Sequence, residues 1–226
     1  MDQNEDSSPA VFTPGNEPYL GRRPLLQFDR IIVATLRANR AVAAASRDAG
    51  LTDLQRAACQ IIPQGVSIGL SIRELMRQGY LFSAFVLLRP LIERAAIISY
   101  LVRHPEAVQH WKSGWKHGER PSLRRMLDAM GWSEVDTSMA KQICDFFGHA
   151  VHGDPFSAYW NTIELHDGDI GYASGRILNR PDFCDLIAAN TFPYFIIFMA
   201  MMTACFPDVP EVPKAISDAV EQLTTG

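Results

Sequence analysis

Cysteine is scarce in this sequence of 226 residues, and no two cysteines have the C-x-x-C spacing of a zinc or dithiol redox site. Each one lies in an apolar stretch with helical periodicity, where cysteine usually packs as a small hydrophobic residue. The pattern excludes a disulfide framework and predicts reduced thiols in a cytoplasmic protein. The cysteines are Cys59, Cys144, Cys184 and Cys205.

The chain also has few of the sequence features that target a protein to a membrane. Its first residues, MDQNEDSSPAVF, lack the basic residues and apolar run that form a signal peptide. The uncharged run from Thr191 to Phe206 is sixteen residues long, whereas a helix needs about 20 residues to span a bilayer. We therefore predict no membrane contact and interpret this run as a helix buried in a bundle.

A strong net charge is absent too, because the formal net charge is only −4. This value excludes a protein that coats nucleic acid through bulk positive charge, but it allows a local patch. Residues 103–125 carry six basic and two acidic residues, whereas residues 128–169 carry eight acidic residues and one basic residue. Opposite patches of this kind suit head-to-tail or two-fold self-association, so we predict a homodimer or a complex with a protein partner.

The basic segment, residues 103–125, also contains two tryptophans four residues apart. Cations that contact phosphates and rings that stack on bases are the usual means of binding single-stranded RNA. The alternative is a solvated helical hairpin whose tryptophans pack against the core. The candidate residues for binding RNA or a nucleotide are Arg103, His110, Trp111, Lys112, Trp115, Lys116, Arg124 and Arg125.

Apolar sequence with helical periodicity is abundant, since 47% of the residues are hydrophobic. The first 24 residues are instead rich in Pro, Gly, Asn, Ser and acid, and they predict a flexible N-terminal arm. Residues 25–226 predict a single all-α domain, a multi-helix bundle with a small β-hairpin insertion near residues 161–179. Asp167-Gly168 marks the turn of that hairpin.

Local signals place several helix boundaries. Thr52 predicts the N-terminal cap of a helix, and Pro63, Gly65 and Gly69 predict a kink or break near the middle of that helix. Ser133, followed three residues later by Asp136, resembles a capping box at the start of a later helix. The dipeptide His104-Pro105 predicts the end of the helix before it.

Residues 80–103 are apolar on nearly all sides of a helical wheel, which is typical of a helix in the middle of a bundle. Arg89 and Glu93 are four residues apart, so we expect them to form a buried, desolvated ion pair. Pro90 frees the carbonyl of Val86, which predicts a kink beside this pair. The pair is either an internal strut that fixes helix register or a guanidinium presented to an anionic ligand.

A second polar group stands at the end of a later predicted helix. Asp145, His149 and His152 are spaced by four and then three residues, which puts them on one helix face. This spacing suits a metal site, or a histidine acid–base pair oriented by the carboxylate. The alternative is structural, because the helix dipole favours histidines at a C-terminus and Lys141 stands four residues before Asp145. On this basis we assign neither a metal nor another cofactor.

Arg103 and His110 have six residues between them, which matches the Arg-x(4–6)-His spacing of the HEPN superfamily. In that superfamily the two residues act on the ribose 2′-hydroxyl and the scissile phosphate of RNA. Pro105 interrupts the helix on which the motif normally lies, so we do not assign catalysis to this pair.

Three segments, LLRPLIER, YLVRHPE and FFGHAVHG, are followed by a hairpin-like insert and a long apolar helix. This order, over residues 51–206, resembles a family of bacterial helical proteins of unknown function that are grouped with HEPN-like or abortive-infection proteins. The resemblance implies that Arg89, Glu93 and His152 should be considered together. No arginine lies four to six residues before His149 or His152, which departs from the RNA-cleaving members.

Two classes of function follow. In the first, which we favour, the chain is a non-catalytic helical interaction or sensor module of a prokaryotic defence or toxin-type system. In the second, it is a HEPN-like enzyme directed at RNA or a nucleotide, with His149 or His152 as general acid or base and Arg89 stabilising phosphate charge. In both, we expect Arg89, Glu93, His149 and His152 to line a shared polar pocket.

Overall fold

The structure is a computed structural model, and it describes residues 16–47, 50–116, 118–131, 138–152, 155–164, 168–172 and 175–224. Within these ranges the chain forms an all-α, multi-helix bundle with a small β-hairpin, as the periodicity predicts. The capping box predicted at Ser133 and Asp136 lies outside the described residues. The helices and strands are α1 (Arg23–Ala45), α2 (Asp53–Arg77), α3 (Leu81–Val86), α4 (Leu88–Arg103), α5 (Ala107–Lys112), α6 (Leu123–Asp128), α7 (Met139–His152), α8 (Pro155–Ala158), β1 (Thr162–Glu164), β2 (Ile170–Tyr172), α9 (Pro181–Cys205) and α10 (Glu211–Thr224).

The β-hairpin falls inside the interval predicted for it, residues 161–179. Strands β1 and β2 pair in antiparallel register, with Ile163 opposite Gly171. Gly168 lies in the connection with a φ of +81°, a left-handed conformation that glycine adopts at little cost. The predicted insertion is therefore confirmed.

Helix α9 forms the centre of the bundle, because it contacts α1, α2, α4 and α10. Its Phe195, Phe198 and Met199 are buried, and the ring of Phe195 packs edge-to-face against Phe28 of α1 at a centroid distance of 5.8 Å. Among the described helices, α9 is also the one that is long and apolar enough to cross a membrane. In the structure it is packed as a bundle helix, and its second half corresponds to the uncharged run of residues 191–206.

Helix α2 is continuous, so the break is wrong as one of the two alternatives, kink or break, predicted at Pro63, Gly65 and Gly69. The two glycines allow a close approach of α9 instead. A Cβ atom on Gly65 would lie 2.2 Å from Cζ of Phe198, and a Cβ atom on Gly69 would lie 2.2 Å from Cζ of Phe195. The glycines therefore leave space for two buried rings of the neighbouring helix, which the local sequence does not indicate.

The apolar stretch of residues 80–103 forms two helices rather than one. Helix α3 ends at Val86, Leu87 is a turn residue, and α4 begins at the next residue. The cause is the one predicted from the sequence, because Pro90 has no N–H to donate to the carbonyl of Val86. The sequence predicts a kink within one helix beside Arg89, whereas the structure has an interruption at Leu87 that divides the stretch into α3 and α4.

The prediction of a flexible arm up to residue 24 is wrong for its last part, because several of its residues make buried contacts. Tyr19 is buried, and its hydroxyl donates a hydrogen bond of 2.6 Å to the carbonyl of Ile177. Glu17 is buried as well, where it accepts a hydrogen bond of 2.8 Å from Arg73. Burial of an aromatic ring and of a paired carboxylate fixes this stretch despite its polar composition. Residues 1–15 of the predicted arm lie outside the described residues.

Candidate functional site

Arg89 lies in the first turn of α4, directly after the interruption between α3 and α4. Its Nε donates to Oε1 of Glu93 at 3.2 Å, and its Nη1 donates to the carbonyl of Cys144 in α7 at 3.1 Å. The side chains of Arg89 and Glu93 keep 22% and 27% of their surface exposed. The prediction of a fully buried, desolvated pair is therefore wrong, because the pair lies at the edge of the bundle, where water reaches both charges.

Glu93 is surrounded by three guanidinium groups. Besides Arg89, the guanidinium nitrogens of Arg120 and Arg94 lie 3.5 Å and 4.0 Å from Oε2 of Glu93. Among the described residues, one carboxylate thus faces three cations, and the summed charge of these four groups is positive. A cluster with this excess of positive charge attracts a further anion.

Helix α7 presents residues from three successive turns to this cluster, on one face of the helix. With Arg89 they line an open cleft of about 380 Å³. Of the four residues predicted to share a pocket, Arg89, His149 and His152 line this cleft, whereas Glu93 supports Arg89 from outside the lining. The lining residues are Arg89 from α4 and Cys144, Asp145, Gly148, His149 and His152 from α7.

An aromatic cluster around Phe85 holds α7 against α3. Phe85 is buried, and four rings surround it at centroid distances of 5.5 to 5.7 Å, a range in which tilted and edge-to-face pairs are favourable. Two of these rings belong to α7 and directly precede the cleft histidines. The cluster therefore fixes the position of α7 relative to Arg89. The surrounding rings are those of Phe146, Phe147, Trp160 and Phe183.

Asp145 is engaged by a lysine of its own helix. Nζ of Lys141 lies 2.5 Å from Oδ2 of Asp145, and both side chains are exposed. This hydrogen bond holds the pKa of Asp145 below its usual value. The contact matches the structural alternative derived from the spacing of the two residues. Within the described ranges, no group of three or more His, Cys, Asp and Glu side chains is arranged to hold a metal ion.

The thiol of Cys144 is not prepared for nucleophilic chemistry. Burial raises its pKa above the usual value, and the positive charges of Arg89 and Arg124 oppose this shift only in part. At neutral pH the thiol is therefore protonated and a poor nucleophile. The positive charge of Arg124, on α6, also lowers the pKa of Asp145.

The tryptophans of the basic segment pack against the core, as in the structural alternative for this segment. Helix α5 ends in a Schellman motif, in which Gly114 has a φ of +83° and the N–H of Trp115 donates to the carbonyl of His110 at 2.8 Å. The motif directs the chain back onto the bundle, where Trp115 packs against the core. The guanidinium carbon of Arg120 lies 5.9 Å from the ring centroid of Trp115 and covers one face of that ring.

Two other candidates of the basic segment have acidic neighbours. Nζ of Lys112 lies 2.8 Å from Oδ1 of Asp53, and Nδ1 of His110 lies 3.2 Å from Oε2 of Glu119. The remaining candidates are exposed and make no ion pair with a described residue. They are Arg103, Lys116, Arg124 and Arg125.

The residues with HEPN-type spacing lie on different helices. Arg103 is the last residue of α4, and His110 belongs to α5. His104 is the C-cap residue that follows Arg103, and the helix ends there as the following proline predicts. The structure thus places the two side chains on separate elements, outside the residues that line the cleft.

Sequence reasoning missed three parts of the site. Arg120 lies in the loop before α6, and nothing in the local pattern directs it to Glu93. Cys144 and Gly148 precede His152 by eight and four residues, so their shared helix face was detectable from spacing alone. The hydrogen bond from Arg89 to the Cys144 carbonyl depends on tertiary packing, so it cannot be predicted from the sequence.

Comparisons with protein-family models, with curated proteins and with solved structures give no match. The HEPN-like resemblance therefore stays a prediction.

Replacing Glu93 by glutamine is expected to lower the free energy of unfolding by about 1 kcal/mol, because a partly exposed ion pair contributes little. A fully buried pair would instead lose about 3 to 5 kcal/mol. Denaturant melts measure the difference. Glu74→Gln is the matched control, since Glu74 pairs with Arg77 within one helix at the surface. A loss of about 3 kcal/mol or more for Glu93→Gln would contradict the placement of this pair at the edge of the bundle.

Proposed function

We propose that this chain is a non-catalytic sensor or interaction module whose cleft binds an anion. The proposed class of ligand is a phosphate-bearing molecule such as a nucleotide. The observation that carries the proposal is that Arg89, His149 and His152 line one cleft although they belong to helices far apart in sequence. Arg89 is held in place by Glu93 and by the carbonyl of Cys144, so its guanidinium is oriented before a ligand arrives.

The charges around the cleft favour an anion. In the part of the chain that the structure describes, cations outnumber carboxylates around the cleft, and guanidinium groups pair with phosphate oxygens in a bidentate manner. A volume of about 380 Å³ also lies within the range of small-molecule sites, roughly 300 to 1,000 Å³. The cations are Arg89, Arg94, Arg120, Arg124 and Lys141, and the carboxylates are Glu93, Asp128 and Asp145.

The same contacts support a non-catalytic role. The Cys144 thiol is protonated at neutral pH because burial raises its pKa. The carboxylate of Asp145 is engaged by Lys141, and that of Glu93 faces three guanidinium groups. Neither carboxylate is therefore poised to act as a general base. The resemblance to HEPN-like and abortive-infection proteins supports the context of a prokaryotic defence or toxin-type system, and that part of the proposal rests on the sequence alone.

Replacing Arg89 by alanine is expected to weaken binding of AMP or ATP by about tenfold or more, since a charge-assisted hydrogen bond contributes about 1.5 to 3 kcal/mol. His152→Ala is expected to weaken binding as well, because His152 lines the same cleft. Isothermal titration with inorganic phosphate, AMP, ATP and a short oligouridylate measures these affinities and ranks the ligand classes.

Arg103→Ala and His110→Ala are the matched controls for this titration. Both side chains are exposed and lie outside the residues that line the cleft. Their affinities are expected to equal that of the wild type. Absence of binding of all four probes to the wild type at low salt would contradict the proposal, and so would equal losses in the cleft variants and the controls.

An RNA-directed enzyme is the second candidate, and the presence of two histidines beside an arginine in one cleft favours it. In this case the wild type cleaves single-stranded RNA, and His152→Ala and Arg89→Ala reduce cleavage without a matching loss of stability. A gel assay with the same three proteins separates the two candidates. Equal, background-level cleavage by all three supports the non-catalytic module.

A further inference from the structure

A groove of about 660 Å³ lies between α1 and α10, two helices that contribute nothing to the cleft lining. Small residues form its floor, and Val33 on the same face of α1 is 46% exposed. The groove is therefore an apolar surface between two helix ridges, wide enough to admit side chains from another molecule. The alanines of the floor are Ala34, Ala41, Ala44, Ala215 and Ala219.

The helices that border the groove run in opposite directions. Arg22, at the start of α1, forms an ion pair with Asp185 near the start of α9, so these two helices begin at the same end of the bundle. Val42 and Met202, near their other ends, line one small pocket. Helix α10 begins six residues after α9 ends, and it therefore starts beside the end of α1 and runs back along it.

The charged residues that line the groove give its two ridges net charges of opposite sign. Helix α1 contributes Arg30, Arg37 and Arg40 against Asp29, and α10 contributes Glu211 and Asp218 against Lys214. Arg37 and Arg40 stand on the α1 ridge, and within the described ranges they make no ion pair. Glu211 and Asp218 lie on the α10 ridge. Asp218 also forms an ion pair with Lys214 of the same helix, with 3.3 Å between Nζ and Oδ2. Because the helices are antiparallel, Glu211 lies at the end of the groove near Arg40.

We propose that this groove is the interface at which two copies of the chain associate, with a two-fold axis parallel to the groove. Rotation about such an axis places α1 of one copy above α10 of the other and keeps each residue at its height along the groove. The arginines of each copy then face the carboxylates of its partner, and this contact occurs twice in the dimer, as an isologous interface requires. An axis perpendicular to the groove would instead bring the arginine ridges together, which like charges disfavour.

The resulting arrangement is a four-helix bundle made of two helices from each copy. The alanine floors of the two grooves form its core, and Val33 of each copy, exposed in the single chain, is covered there. Leu26 lies one heptad before Val33 on the same stripe of α1 and is 41% exposed, so it extends the apolar contact beyond the groove. Charge complementarity of the ridges selects a second copy as the occupant, because one chain carries both halves.

Charge reversal tests the interface without disturbing the core. Light scattering coupled to gel filtration is expected to give twice the monomer mass for the wild type. The variants R37E/R40E and E211R/D218R are each expected to fall to the monomer mass, because each reversal puts like charges opposite one another. An equimolar mixture of the two variants is expected to return to the dimer mass, since the reversed ridges are complementary again.

The double variant R124E/R125E is the matched control, because it reverses two exposed arginines on α6, outside the groove. It is expected to keep the dimer mass. Circular dichroism melts of every variant confirm that a lower mass reflects dissociation rather than unfolding, and E211R alone replaces the second variant if that variant unfolds. A monomeric wild type, a dimer that survives both reversals, or a mixture that stays monomeric overturns the proposal. The groove and the cleft share no residue, so failure here leaves the anion-binding proposal intact.

Discussion

Replacing Phe85 by alanine is expected to lower the free energy of unfolding by about 3 to 5 kcal/mol. The ring is 1% exposed and contacts four other aromatic rings, so its removal leaves a cavity that rigid neighbours fill poorly. Denaturant melts followed by circular dichroism measure the loss. The effect is large because Phe85 joins α3 to α7 and to α9 at once.

Phe82→Ala in the same short helix is the control, since Phe82 is only partly buried. Its expected loss is smaller because less apolar area returns to water. Phe85→Ala is also expected to weaken anion binding, since α7 carries the cleft histidines on the element that this ring anchors. Equal stability losses for the two variants would contradict the central role of Phe85.

Replacing Gly65 by alanine is expected to destabilise the protein by about 2 to 3 kcal/mol, which reverses the usual benefit of about 1 kcal/mol for alanine in a helix. A Cβ atom there would lie 2.2 Å from Cζ of the buried Phe198, so either the ring or α2 must move. The same argument applies to Gly69 and Phe195. Thermal melts of Gly65→Ala and Gly69→Ala measure both losses.

Gly148→Ala in α7 is the matched control, because nothing lies within 4 Å of a Cβ atom at that position. It is expected to be neutral or to stabilise the protein by up to about 1 kcal/mol. Phe198→Leu in the Gly65→Ala background is expected to recover part of the loss, since residues in contact are energetically coupled. A stabilised Gly65→Ala protein would show that α2 and α9 do not approach as closely as described.

Much of the site depends on contacts that cannot be predicted from the sequence. Spacing put Asp145, His149 and His152 on one helix face, and the structure agrees, because side-chain direction in a helix follows from sequence position alone. The exposure of Arg89 and the approach of Arg120 to Glu93 were not predictable, since they depend on how α4, α7 and the loop before α6 pack together.

The glycines of α2 also show a difference between what local sequence favours and what tertiary packing decides. In sequence, Gly65 and Gly69 beside Pro63 favour a broken helix, because each lowers helix propensity. In the structure α2 is continuous. The rings of Phe195 and Phe198 occupy the space that side chains at Gly69 and Gly65 would take, so the two glycines allow α2 and α9 to pack closely. Tertiary packing therefore outweighs the local preference.

The sequence by itself determined the all-α class, the hairpin, the irregularity beside Pro90 and the N-terminal cap of α2 at Thr52. These features are decided by residues within a few positions of one another, through hydrogen-bond loss, side-chain capping and periodicity. Only the tertiary structure decided which charges meet in the cleft, that Glu17 and Tyr19 join the folded domain, and that α1 and α10 border a groove. Those outcomes depend on the packing of elements that lie far apart in the chain, where many pairings suit the same local pattern and burial of the whole core selects among them.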